Sequence, residues 1–164
     1  MTLVHNPTSN MKLGSGFARV VRARELGVNV ALGTDGCASN DNLDMFEEMH
    51  LAALVHKGLA QDPTVLPAWE AIDMATVNGA KALGLDAGEI AVGKAADFCV
   101  VGLDRPHLVP HAGLAELVVY SMHASDVVET WVAGRRVYNR GAFAAADAAA
   151  AKAELLAAVG RIGL

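Results

Sequence analysis

The chain has 164 residues, 53% hydrophobic and 19% charged, with a net charge of −5. That balance fits a globular fold with a sizeable core and argues against disorder except near the end of the chain. With no long basic run, nucleic acid and anionic membrane are poor partners, and no apolar run approaches the ~20 residues that span a bilayer. Its two cysteines, Cys37 and Cys99, are far apart and form no CxxC, so no disulfide framework can be read. A reducing cytoplasm is the expected compartment, and the N-terminus lacks the charged and apolar regions of a signal peptide.

Thr2-Leu3-Val4-His5 reads as the end of a strand, followed at once by turn chemistry in Asn6-Pro7-Thr8-Ser9-Asn10. A helix is expected over residues 16–26, with Ser15 as N-cap, Phe17, Val20 and Val21 on its apolar face, and Gly27 as its stop. Residues 28–34 form the next strand, and the strand–helix–strand order implies a right-handed parallel crossover. The loop over residues 35–42 is rich in Gly, Ser, Asn and Asp. A second helix is expected over residues 43–57, with Asp44, Glu47 and Glu48 in its early turns, where the helix dipole favours negative charge. Pro67 opens a third helix through Met74, and Thr76 caps a short fourth one that ends at Gly84.

Beyond Gly84 the texture changes to short β-rich runs at residues 97–103, 117–121, 127–132 and 136–139. Ala133-Gly134 reads as a hairpin turn between the last two. A boundary is expected near Asp86, and residues 142–159 form an alanine-rich helix that carries no site.

Asp35 is the leading candidate for chemistry. Four of the five residues Val28-Asn29-Val30-Ala31-Leu32 are apolar, as in a strand covered on both faces, and Gly33-Thr34-Asp35-Gly36 follows. An aspartate at the C-terminal end of such a strand lies where (β/α) barrels place their catalytic groups. The competing reading is a helix N-cap or a turn aspartate.

Several motifs together resemble the amidohydrolase superfamily, in the branch of S-adenosylhomocysteine/methylthioadenosine deaminases and triazine hydrolases. His5-Asn6-Pro7-Thr8-Ser9-Asn10-Met11-Lys12-Leu13 is similar to the loop after the seventh barrel strand. Gly33-Thr34-Asp35-Gly36, with the run from Ser39 to Met49, is similar to the eighth strand and the loop and helix after it. Met74-Ala75-Thr76-Val77-Asn78-Gly79-Ala80 and Gly88-Glu89-Ile90-Ala91-Val92-Gly93-Lys94-Ala95-Ala96-Asp97 resemble the closing helix and the return into a small β-sandwich, and Gly134-Arg135-Arg136-Val137 a late hairpin. The resemblance covers about residues 1–140.

It implies an α/β fold: the C-terminal part of a metal-dependent (β/α)8 barrel plus strands of a composite β-sandwich. Residues 1–85 would form the barrel end, 86–141 the sandwich part, and 142–164 a helix or tail. It implies hydrolysis of a non-peptide C–N bond, foremost deamination of an aminated purine compound such as S-adenosylhomocysteine or methylthioadenosine. A triazine or guanine-type aminohydrolase or chlorohydrolase is the alternative, and a non-catalytic fragment that keeps only the scaffold is another.

In the family the residue matching Asp35 ligates a divalent metal, zinc or else iron, and takes a proton from water. His5, Asn10 and Ser39 are the candidate substrate-binding residues. His5 would line the pocket or bond the loop. Ser9 and Asn10 would pin their loop, and Ser39, Asn40 and Asn42 would serve specificity or Asx-turn bonding. The family's His-x-His pair and its fifth- and sixth-strand histidines have no counterpart here. The chain is therefore expected to be a C-terminal portion, with an incomplete ligand set and no activity alone. It is expected to need the preceding part, with homo-oligomerisation as an option.

The remaining candidates read as structural. Cys37 has no basic neighbour in sequence and needs only a small side chain. His107 and His111 have i,i+4 spacing, but Pro106 and Pro110 argue against a helix there. His50 and His56 lie six apart on one helix without pairing, and His123 is expected to be exposed. Trp69 and Trp131 read as core or inter-domain packing.

Overall fold

A computed structural model of the chain describes residues 1–110 and 113–162. The chain divides into two compact units: residues 1–94 with 103–126, and residues 95–102 with those from Val127 onward. The first opens with β1 (Thr2–His5), α1 (Pro7–Lys12), α2 (Val20–Glu25), β2 (Asn29–Leu32) and α3 (Cys37–Asn40). It continues with α4 (Met45–Ala60), α5 (Ala68–Ala75) and α6 (Val77–Leu83). Together with the antiparallel sheet of the second unit, this is the α/β architecture expected of the C-terminal part of a (β/α)8 barrel plus strands of a composite β-sandwich.

β1 and β2 pair in parallel, Thr2 opposite Asn29 and His5 opposite Leu32, so both strands end at the same edge. Alternation sends Leu3 and His5 to the helix-covered face and Val4 to the opposite one, where it is 54% exposed. Val30 and Leu32 pack with Val20, Met49, Leu66 and Met74 in the core. Asn78 of α6 donates from Nδ2 to the Val30 carbonyl at 2.9 Å, which occupies a β2 backbone group that would otherwise seek another strand.

Several local expectations change. Asn6-Pro7-Thr8-Ser9-Asn10 is not an open turn but enters α1, because Pro7 at the helix start gives up an N–H that needs no partner there. α2 begins at Val20, with Arg19 rather than Ser15 as its N-cap, since Gly16 takes a φ of +85° that no helix continues. Thr76 precedes α6 but does not cap it: its hydroxyl donates to the Ile72 carbonyl at 2.8 Å. The run 117–121 is the second half of helix α7 (Leu114–Tyr120) with its C-cap Ser121, not a strand. Its β-branched residues mask a helical stripe, Ala115, Val118 and Val119, that packs on the other helices. Trp69 is 62% exposed rather than part of this core.

The second unit holds an antiparallel sheet in the order β3 (Phe98–Val101), β4 (Val127–Val132), β5 (Arg135–Asn139) and β6 (Ala142–Phe143). Ala133 and Gly134 both take positive φ, 49° and 72°, as a type I′ hairpin turn requires. Phe98 and Trp131 stack across β3 and β4 with ring centroids 5.7 Å apart. The alanine-rich stretch starts with β6 and turns helical only at α8 (Ala148–Ile162). Among the described residues, no helix is long and apolar enough to cross a membrane.

Within the first unit, His5 meets His56 of α4. Both rings are buried, with their Nε2 atoms 3.2 Å apart. Burial, and then the neighbouring His56, pushes the His5 imidazole down from 6.5 to about 4, and burial lowers His56 as well. The fold thus holds the pair neutral while the unfolded chain takes up protons below 6.5. Stability is therefore full above that pH and is lost as pH falls toward about 4. For His5 the loss across this window is on the order of 3 kcal/mol.

Denaturant titrations near pH 7.5 and near pH 5 should show this loss, and His56→Gln should make the pH dependence shallower; equal stability at both pH values would refute it. Gly88 offers a second check. Its φ is +91°, and an added Cβ would lie 2.8 Å from the Val77 Cα and 2.9 Å from the Thr76 carbonyl. Gly88→Ala should lower stability by at least about 2 kcal/mol, whereas a loss below half of that would mean the backbone there can shift freely.

Candidate functional site

Asp35 follows β2 by three residues and sits beyond the edge at which β1 also ends. Its φ is +63°, a left-handed conformation that aspartate tolerates better than most residues do. The loop spends two more residues there, Asp41 at +72° and Leu43 at +54°. Such conformations persist only where neighbouring bonds fix them.

Those bonds come from both strand-end segments. Ser9 of α1 donates its hydroxyl to Asp35 Oδ2 at 2.7 Å, and Ser39 of α3 donates to the same oxygen at 2.8 Å. The Ser9 hydroxyl foremost, then the Ser39 hydroxyl and the Gly36 N–H, hold the exposed Asp35 carboxyl below the usual carboxylate range. Asp35 is thus an ionised acceptor at neutral pH, and both hydroxyls engage one oxygen, leaving Oδ1 outside their grip. Lys12 reinforces the junction by reaching from the end of α1 to the Ala38 carbonyl and Asp41.

The other candidates occupy different surroundings. The His5 ring turns to His56 on the helix-covered side, while its carbonyl accepts the Gly33 N–H at 3.1 Å and so supports the strand end before Asp35. Asn10 is half-buried in α1, one residue past Ser9, with its N–H donating to the Asn6 carbonyl at 3.0 Å. Asn40 is buried, and its Oδ1 accepts the Leu43 N–H at 2.6 Å. Asn42 accepts the Asp44 N–H at 3.1 Å in the Asx fashion. Cys37 and Cys99 are free thiols. Among the described residues, no group of three or more His, Cys, Asp and Glu side chains converges to hold a metal ion.

Two features lay outside the sequence reading. Glu48 is wholly buried beside the Asp35 loop, where only helix-dipole chemistry was legible for it. Asp126, 1% exposed, accepts the His107 ring at 3.0 Å and the His123 N–H at 3.0 Å, with Arg105 at 3.7 Å. Burial pushes the Asp126 carboxyl up, but the hydrogen bonds from His107 and His123 and the charges of His107 and Arg105 outweigh it and leave it lowered. Nothing in the spacing of residues 105, 107 and 126 announces this contact. His111 lies outside the described residues.

The fold has close counterparts among known proteins. The chain is 57% identical over 129 residues to the 5-methylthioadenosine/S-adenosylhomocysteine deaminase of Acetivibrio thermocellus, which covers 77% of this chain and 30% of the relative. It is 56% identical over 131 residues to the 5′-deoxyadenosine deaminase of Methanosarcina acetivorans, covering 80% and 30% of the two chains. The chain therefore spans about a third of the length of these curated relatives. A crystal structure of an adenosine deaminase from Xanthomonas campestris with bound zinc superposes with a TM-score of 0.94 at 38% identity, covering 98% of this chain and 37% of that one. The family model described as "Amidohydrolase family" matches residues 1–137, most of the chain, and the chain belongs to the amidohydrolase family.

Proposed function

We propose that this chain carries the Asp35 corner of a metal-dependent hydrolytic deaminase. The substrate is an aminated purine compound of the S-adenosylhomocysteine or methylthioadenosine kind, and a non-peptide C–N bond is cut with release of ammonia. The observation that carries the reading is the Asp35 carboxylate at the shared edge of two parallel strands, with Oδ2 fixed by Ser9 and Ser39. The high identity to deaminases of 5′-substituted adenosines supports the substrate class.

An exposed, ionised carboxylate with one oxygen outside its hydroxyl clamp fits one ligand position of a borderline divalent cation, and zinc is the ion we assign. Such a cation lowers the pKa of an attacking water toward neutrality. The rest of the ligand set would come from the barrel segment that precedes the matched region in the relatives.

Asp35 then accepts the proton that the attacking water gives up. Its lowered pKa keeps it ionised and ready for this role. Ser9 and Ser39 orient the carboxylate, and we assign Ser39 and Asn10, on the two segments that flank it, to the substrate. His5 contributes through the strand end it supports. The reaction is placed in the cytoplasm, where Cys37 and Cys99 stay reduced.

The test joins this chain to the preceding barrel segment of the Acetivibrio thermocellus relative and follows ammonia release from S-adenosylhomocysteine, methylthioadenosine and 5′-deoxyadenosine. Turnover of at least one is expected. Asp35→Asn should reduce it by roughly 10²–10⁴-fold, the range for a positioned proton acceptor. A folded, zinc-loaded protein whose Asp35→Asn variant works within a few-fold of the parent would remove Asp35 from the chemistry.

A further inference from the structure

Glu48, in the first turns of α4, is wholly buried. Among the described residues no cationic side chain pairs with it. A buried carboxylate without a counter-ion is retained only where hydrogen-bond donors compensate it, so its two partners are informative. Oε2 accepts the Thr8 N–H at 3.2 Å, and Oε1 accepts the Asn40 side-chain amide at 2.6 Å. Thr8 adjoins Ser9, and Asn40 adjoins Ser39. These serines are the two donors to Asp35 Oδ2. Glu48 therefore joins, from the buried side, the same two segments that Asp35 joins from the exposed side.

Both partners of Glu48 are donors, so only a group with two acceptors satisfies them. The orientation of Asn40 is not free to adapt, because its Oδ1 holds the Leu43 N–H at 2.6 Å. That bond in turn fixes Leu43 at a φ of +54°, which a bulky residue takes only under constraint.

We propose that Glu48 is a positioning residue for the Asp35 carboxylate, tying α1 to α3 and so setting where Ser9 and Ser39 hold Asp35. The inference rests on Asp35 being the working carboxylate, as proposed above, and extends that reading to a residue that faces no substrate.

The chemistry of the contact supplies its own rescue. Glu48→Gln sets an amide NH2 against either the Thr8 N–H or the Asn40 amide. Asn40→Asp sets two carboxylates face to face. The double variant Glu48→Gln/Asn40→Asp restores every bond with donor and acceptor exchanged: Thr8 N–H to the Gln oxygen, the Gln amide to one Asp oxygen, and Leu43 N–H to the other.

The first measurement uses the 164-residue chain itself and reads the side-chain carboxyl carbon resonance of Asp35 at neutral pH. In each single variant the resonance should move toward that of a Ser9→Ala/Ser39→Ala chain, and in the exchanged pair it should return to the wild-type position. Folded single variants that keep the wild-type resonance would overturn the proposal. Should the single variants fail to fold, the exchanged pair decides. It must fold with the wild-type resonance, and either misfolding or a displaced resonance overturns the proposal.

A second measurement uses the joined enzyme. Per folded molecule, kcat should fall about 10²-fold in the single variants, the scale of a misplaced reacting group, with KM within a few-fold, and recover in the exchanged pair. Unchanged kcat in folded single variants would reduce Glu48 to a structural role. An active Asp35→Asn enzyme would instead sink the reading of Asp35, while the resonance result still tests the tie between the two segments.

Discussion

Because β1 and β2 run parallel with His5 opposite Leu32, the chain leaves both strands at one edge and must place two connections side by side there. Everything that holds Asp35 follows from that adjacency. Ser9 and Ser39 are 30 residues apart in sequence, yet their hydroxyls meet one carboxylate oxygen because each opens the segment after its own strand. An antiparallel pairing would have sent these segments to opposite ends of the sheet. The helices after each strand cover one face of the pair, which is the arrangement that leaves the strand-end loops free for chemistry.

The electrostatics of this region divide into a wet and a dry layer. On the exposed side Asp35 is stabilised as an anion by hydroxyls and a backbone N–H, whose donors are fixed before any substrate arrives. On the buried side Glu48 is compensated by two neutral donors, and His5 and His56 share a contact that two charged rings could not make. The dry layer has no ionic partner to adjust to. It is specified by hydrogen-bond polarity, which admits few substitutions. The exposed layer can therefore be strained, with Asp35, Asp41 and Leu43 all at positive φ, since the dry layer resists relaxation of the loop.

The second unit shows the same dependence of local conformation on partners. Ala133 is a poor residue for a positive φ, yet the hairpin forms around it because Gly134 follows it and the Ala133 N–H donates to Asp97 at 2.6 Å. The ladder on either side, with Phe98 stacked on Trp131, supplies cross-strand packing that a turn residue alone cannot.

The sequence by itself determined the elements whose residues carry their own instruction. The apolar run ending at Leu32 with Gly-Thr-Asp-Gly beyond it, the Pro67 helix start, the Gly84 stop and the Ala133-Gly134 turn all act through backbone preferences a few residues long, and the position of Asp35 at a strand end follows from them. Tertiary structure decided what those preferences leave open. Val118 and Val119 favour a strand locally, but burial of Ala115, Val118 and Val119 on one side made their segment a helix. The side of the sheet to which His5 points was set by the register of β1, one residue of which separates the helix layer from the opposite face. The roles of Glu48, Asn40 and Asp126 were invisible for a single reason: a buried polar side chain is defined by its partners, and those partners come from segments that only folding brings together.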